Sequence, residues 1–205
     1  AAPEGAARAG RLLELSERLA ESGRRGEALD AAREACQVLR SLARLDSGTY
    51  LPDLAEGLSV MADRLREARR MREGVAVSQE TVRIRRRLTR YDYDAHASGL
   101  AQALCRLAVD LSASGDLRDA LASAQESVDL YRGLRRDDSV TDETGLAQAL
   151  VTLACCLSES GRPSAAFVST QQALTVRRRL VRADPDAQML SLIHISEPTR
   201  RTPIS

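Results

Sequence analysis

Four segments of this chain, RLAESGRRGEAL, RLREARRMREGV, DLSASGDLRDAL and CLSESGRPSAAF, align without a gap. Their turn positions are Gly23, Arg69, Gly115 and Gly161, and 69−23, 115−69 and 161−115 each equal 46. The same offset links Leu19, Leu65, Leu111 and Leu157, then Leu42, Leu88, Leu134 and Leu180, and then Asp46, Asp92, Asp138 and Asp184. A period of this size makes each unit one supersecondary piece that cannot bury its apolar face alone, so neighbouring units must stack.

Inside a unit the apolar spacing is helical. Leu100, Leu104, Leu107, Ala108 and Leu111 fall on one face of a helix. Ser114-Gly115 supplies a stop, because glycine readily takes the left-handed conformation past a helix end. A second helix follows through Ala120, Leu121, Ala124, Ser127, Val128, Leu130 and Leu134, and Arg132, Arg135 and Arg136 place cations near its negative end. Arg85-Arg86-Arg87 and Arg177-Arg178-Arg179 close the equivalent helices. A polar linker is expected around each periodic Asp. Pro52, Gly99 and Gly145 are expected to open the following first helices, and Pro163 suits the first turn of the last second helix. Ala28, Gly74, Ala120 and Ala166 are small enough to let paired helices approach closely. No strand pattern competes, which predicts an all-α, right-handed α-solenoid of four helix-turn-helix units.

The pattern Leu104, Leu107, Ala108, Leu111, Gly115, Ala120, Ala124, Ser127 and its copy Leu150, Leu153, Ala154, Leu157, Gly161, Ala166, Thr170, Ala173 resembles the tetratricopeptide repeat (TPR). The family's usual period is about 34 residues, so the resemblance is to its long-helix variants. It spans residues 8 to 185, with units at about 8–46, 54–92, 100–138 and 146–184 of a repeat domain over 1–189. The second unit departs most, carrying Arg69 for Gly and Gly74 for Ala, and is where a packing irregularity is expected.

Composition adds a boundary. All 30 basic residues of the 205-residue chain are Arg, and Lys and Asn are absent. Three of four Ile residues (Ile193, Ile195, Ile204) fall in the last thirteen positions. The segment LSLIHISEPTRRTPIS resembles a translated sequencing adapter, so residues 190–205 are read as a non-native tail. The remainder looks like a fragment of a longer bacterial protein from a GC-rich genome. No apolar run approaches the roughly 20 residues needed to span a bilayer, and no signal pattern opens the chain. A cytoplasmic location is expected.

Sites for chemistry are few. Cys36, Cys105, Cys155 and Cys156 form no CxxC pair and have no His at ligand spacing, so neither metal nor cofactor is expected. They read as packing residues in a reducing compartment. His96 reads as an exposed loop histidine, with no nucleophile or orienting partner identified. No phosphate-loop, nucleophile-elbow or HExxH motif occurs, and no catalytic residue is assigned. Carboxylates are expected on solvated faces opposite Arg, as in Glu14–Arg18. The Arg runs form a basic stripe at most. With Asp+Glu at 29 against 30 Arg and aromatics at 2%, the composition speaks against nucleic-acid binding.

The resemblance implies a concave groove lined by first-helix side chains. Carried through the repeat, the groove candidates are Glu17, Asp63, Gln102, Cys105, Arg106, Val109, Gln148, Thr152 and Cys155. Family grooves that clamp a peptide carboxylate use Lys, Arg and Asn, and here only Arg106 matches. A protein-interaction scaffold is therefore expected, holding an extended peptide or a helix by shape and a few polar contacts. The alternative is the sensor or regulatory arm of a larger NTPase, protease or transcription regulator. Solenoids need polar caps, and end-to-end self-association through uncapped apolar ends is expected.

Overall fold

The computed structural model describes residues 2–134 and 140–183. It contains eight helices among the described residues and no strand: α1 (Ala2–Glu21), α2 (Arg25–Leu45), α3 (Ser47–Glu67), α4 (Met71–Tyr91), α5 (Tyr93–Ser114), α6 (Leu117–Gly133), α7 (Val140–Glu159) and α8 (Pro163–Ala183). Each helix packs against the next, and first helices α5 and α7 also touch each other. The 46-residue period is thus a stack of antiparallel helix pairs.

The turn inside every pair is the same. Gly23, Arg69, Gly115 and Gly161 all adopt positive φ, at 77°, 57°, 89° and 73°. The following residue's N–H reaches back to the periodic leucine carbonyl, as in Arg24 to Leu19 and Asp116 to Leu111, both at 2.9 Å. This closes the orphan carbonyls of the first helix. Arg69 holds the left-handed conformation despite its Cβ, so the second unit's irregularity is backbone strain at a conserved geometry, not a different turn.

Between pairs the structure corrects the expected linker. Asp46 ends α2 by donating its N–H to the Leu42 carbonyl at 2.9 Å. The same residue opens α3, its carboxylate accepting from the Thr49 N–H at 3.1 Å and hydroxyl at 2.7 Å. Asp92 does likewise, bonding Leu88 behind it at 3.1 Å and accepting from the Ala95 N–H at 3.0 Å. One residue therefore serves as C-terminal stop and N-terminal cap. As a result α3 and α5 begin five or six residues before the expected Pro52 and Gly99, and Pro52 lies inside α3. Gly145 likewise lies inside α7. Asp138 and Asp184, with Arg135, Arg136 and the adapter-like tail, lie outside the described residues.

Small residues set the helix spacing within pairs. Ala28 and Ala120 are fully buried and Ala166 is 9% exposed. Two buried hydroxyls secure the same contacts, Ser16 donating to the Ala28 carbonyl at 2.8 Å and Ser127 to that of Ala101 at 2.7 Å. The core is continuous along α4 to α8, around Leu104, Val128 and Leu150, and a second cluster joins α1 to α4 around Leu58 and Leu65.

Charges pair along helices, as in Arg66–Asp63 and Arg64–Glu67, and also across units. Arg40 on α2 meets Glu80 on α4 at 2.8 Å, and Arg86 on α4 meets Glu126 on α6 at 2.7 Å. Arg132 on α6 continues the series to Gln172 on α8, again at 2.7 Å. The expected Glu14–Arg18 pair does not form. The Arg runs are also partly neutralised within units, with Arg85 bonded to Glu56 at 2.9 Å and Arg179 3.6 Å from Glu143.

Candidate functional site: a cleft between first helices

Helices α5 and α7 diverge enough to leave a cleft of about 580 Å³. Ser98, Gln102, Cys105 and Arg106 form one wall, Thr141, Thr144, Gly145 and Gln148 the other, and Tyr131 of α6 the floor. Gly145 permits this floor: a Cβ there would stand 2.4 Å from the Tyr131 ring. Gln102 and Gln148 occupy equivalent repeat positions, and both are exposed. Four of the nine groove candidates (Gln102, Cys105, Arg106, Gln148) thus line one cleft.

The others are placed differently. Thr152 is buried behind the cleft wall, its Oγ1 3.2 Å from the Cys105 Sγ, a contact that joins α7 to α5. Asp63 is half-buried and bonded to Arg66 at 2.9 Å and to Arg106. Val109 and Cys155 are exposed on the same helices without lining the cleft, and Glu17 is exposed on α1, two units away. His96 lies within α5 and is half-buried, not in a loop; its carbonyl accepts a long bond of 3.5 Å from the Thr89 hydroxyl. Ser98, Tyr131, Thr141 and Thr144 were not anticipated. Tyr131 sits on a second helix, and only the pairing of a glycine with a tyrosine across one turn of the repeat hints at it.

Electrostatically the cleft is close to neutral. Asp63 already engages the Arg106 guanidinium, and Ser98 donates to Asp142 at 2.6 Å. Burial pushes the Tyr131 phenol up to about 12 and raises the Cys105 thiol, against the opposing effect of its bond to Thr152. Both stay protonated near neutrality, so the cleft offers amides, hydroxyls and one compensated cation. Among the described residues no group of three or more His, Cys, Asp or Glu could hold a metal ion. No described helix is long and apolar enough to cross a membrane.

Neither a protein-family model nor a curated protein matches the chain. Solved structures do. BtubC (BKLC) from P. vanneervenii superposes with a TM-score of 0.66 at 16% identity, over 96% of this chain and 68% of that one. The apo form of RapI gives 0.68 at 9% identity over 85% of this chain, which spans only 44% of RapI. The TPR-like repeats of a Podosopora anserina kinesin light chain are more distant, at 0.45 and 14% identity over 85% of this chain and 97% of that one. At such identities the likeness shows the fold alone: this chain is an all-α, TPR-like solenoid of stacked helix pairs.

Proposed function

We propose that the chain is a non-catalytic protein-interaction scaffold that holds an extended peptide in the α5–α7 cleft. The observation that carries this reading is the pair Gln102 and Gln148, exposed at equivalent positions on either side of the cleft. An amide side chain both donates and accepts, which matches the alternating N–H and C=O of an extended backbone. Arg106 is spent on Asp63, so the ligand is recognised through its main chain more than through a terminal carboxylate. Thr152, held against Cys105 behind the wall, positions the cleft instead of touching the ligand.

The test is affinity capture from lysate of the source organism, with the wild-type chain and a Gln102→Ala/Gln148→Ala variant. Proteins retained by the first and lost by the second are the expected outcome. An identical retained set from both would overturn the cleft as the binding surface.

A further inference from the structure

The repeat shows what should cover each second helix, and on α8 that cover is missing from the described residues. Cys36, Val82 and Val128 occupy one repeat position on α2, α4 and α6 and are at most 4% exposed. Each faces the next first helix: a Cβ on Gly57 of α3 would lie 3.5 Å from the Cys36 sulfur. The equivalent residue of α8, Leu174, is 42% exposed. One turn earlier, Ala32, Ser78 and Ala124 are buried while Thr170 is exposed. Phe167, the chain's single Phe, is 64% exposed, and Val181 is 43% exposed. Phe167, Thr170, Leu174, Arg177 and Val181 follow at helical spacing and form one stripe.

Charge identifies the occupant. Helix α8 carries Arg177, Arg178, Arg179 and Arg182 and no carboxylate. Arg177 stands where Leu39, Arg85 and Tyr131 meet the next first helix at Gly57, Gly99 and Gly145, and it has no partner among the described residues. A second copy of this chain does not fit. Its α1 would take the covering place, and there Arg8 and Arg11 stand where α3, α5 and α7 place Leu54, Leu100, Leu146 and Gly57, Ala103, Ala149. On α3 even a Cβ at the second of these positions is crowded, since on Gly57 it would meet Leu39 at 2.9 Å, and α5 and α7 carry nothing larger than Ala there. Arg8 is also already bonded to Glu34. Such a head-to-tail contact would set Arg8 and Arg11 against the apolar stripe.

We infer that the α8 stripe is a docking surface for an acidic amphipathic helix of a partner protein, which lies on it as α7 lies on α6. The partner helix carries a small residue over Leu174 and a carboxylate toward Arg177. This surface is separate from the α5–α7 cleft.

The chain supplies its own probe. Residues 140–159, the α7 sequence, hold Asp142, Glu143 and Glu159 and no basic residue. A fluorescent peptide of this sequence, with Cys155→Ser and Cys156→Ser, is titrated with the intact chain and followed by anisotropy. Saturable binding is expected, weakened at least about tenfold by Leu174→Asp in the chain. Ala149→Arg in the peptide should weaken it similarly, and Arg177→Glu should lower both the affinity and its salt dependence. Circular dichroism confirms that the variants stay folded, as expected for exposed positions. The inference is overturned by no binding to folded chain, or by binding indifferent to Leu174→Asp. Binding that appears only after deletion of residues 184–205 would make the chain's own tail the occupant. A concentration-dependent rise in sedimentation mass, abolished by Leu174→Asp, would make it a second copy. Either result would also overturn the inference.

Discussion

The Arg66 guanidinium of α3 donates through Nε to the carboxylate of Asp110 on α5 at 2.8 Å, where Asp110 is only 2% exposed. Ser78 of α4 donates to the other oxygen at 2.5 Å, and Arg66 also reaches Asp63, which in turn holds Arg106. A chain of polar groups thus crosses from unit two to unit three and ends at the wall of the cleft. Removing Arg66 leaves the buried Asp110 carboxylate without its cation. Arg66→Ala should cost about 2–3 kcal/mol, less than for a fully buried pair because Arg66 is partly exposed. Urea unfolding measures it, and a loss below about 0.5 kcal/mol would contradict the assignment.

Arg69 and Gly74 are reversed relative to the rest of the repeat. The left-handed backbone at Arg69 favours glycine, whereas a Cβ at Gly74 would meet the Leu65 Cβ at a comfortable 3.8 Å. Arg69→Gly and Gly74→Ala should each stabilise the chain by about 0.5–1 kcal/mol, and they should add, within a few tenths, in the double variant. Thermal melts of the three variants check this.

Gly145 marks the opposite case. Alanine there must displace the Tyr131 ring, because the new Cβ would lie 2.4 Å from it. Overpacking of this kind costs about 1–3 kcal/mol. It should also change near-ultraviolet dichroism from tyrosine, whereas Gly74→Ala should leave that signal alone.

Thiol reactivity separates the four cysteines. Burial pushes Cys36 up to about 12 and Cys156 to about 11, and it raises Cys105, while Cys155 is exposed. A thiol-reactive dye at pH 8 should therefore find one fast site per folded chain, lost in Cys155→Ser. Two sites of equal rate would be inconsistent with this burial.

The same burial fixes the sign of an alkaline effect. The folded chain keeps the Cys36 proton above the ordinary value of 9.0, while the unfolded chain gives it up. Stability from this group is complete below about pH 9 and is lost as pH rises toward 12, with a slope of up to about 1.4 kcal/mol per pH unit. Chemical unfolding at several alkaline pH values should show the decline, and Cys36→Ala should flatten it.

The repeat made most of the fold legible, because period, turn and small packing residues are all local or strictly periodic features. What stayed hidden depends on pairs at other spacings. Arg40–Glu80 and Arg86–Glu126 join residues 40 apart, a distance that means nothing until the second helices lie side by side. Asp46 and Asp92 looked like linker residues because sequence shows their polarity but not that one backbone can close one helix while its side chain opens the next. His96 was misplaced for the same reason, since that double role draws it into α5. The cleft was half visible. Gln102, Arg106 and Gln148 follow from the first-helix pattern, but Tyr131 enters only through the missing side chain of Gly145.

Single-residue joints also set how the stack answers force. Asp46 and Asp92 leave no slack between one helix pair and the next, so tension along the array loads the packed faces directly instead of straightening loops. Such an array should extend elastically by opening its pitch, as a spring does. Inserting one residue beside Asp46 would turn everything after it by about 100° about the α3 axis, putting every later unit out of phase with the first.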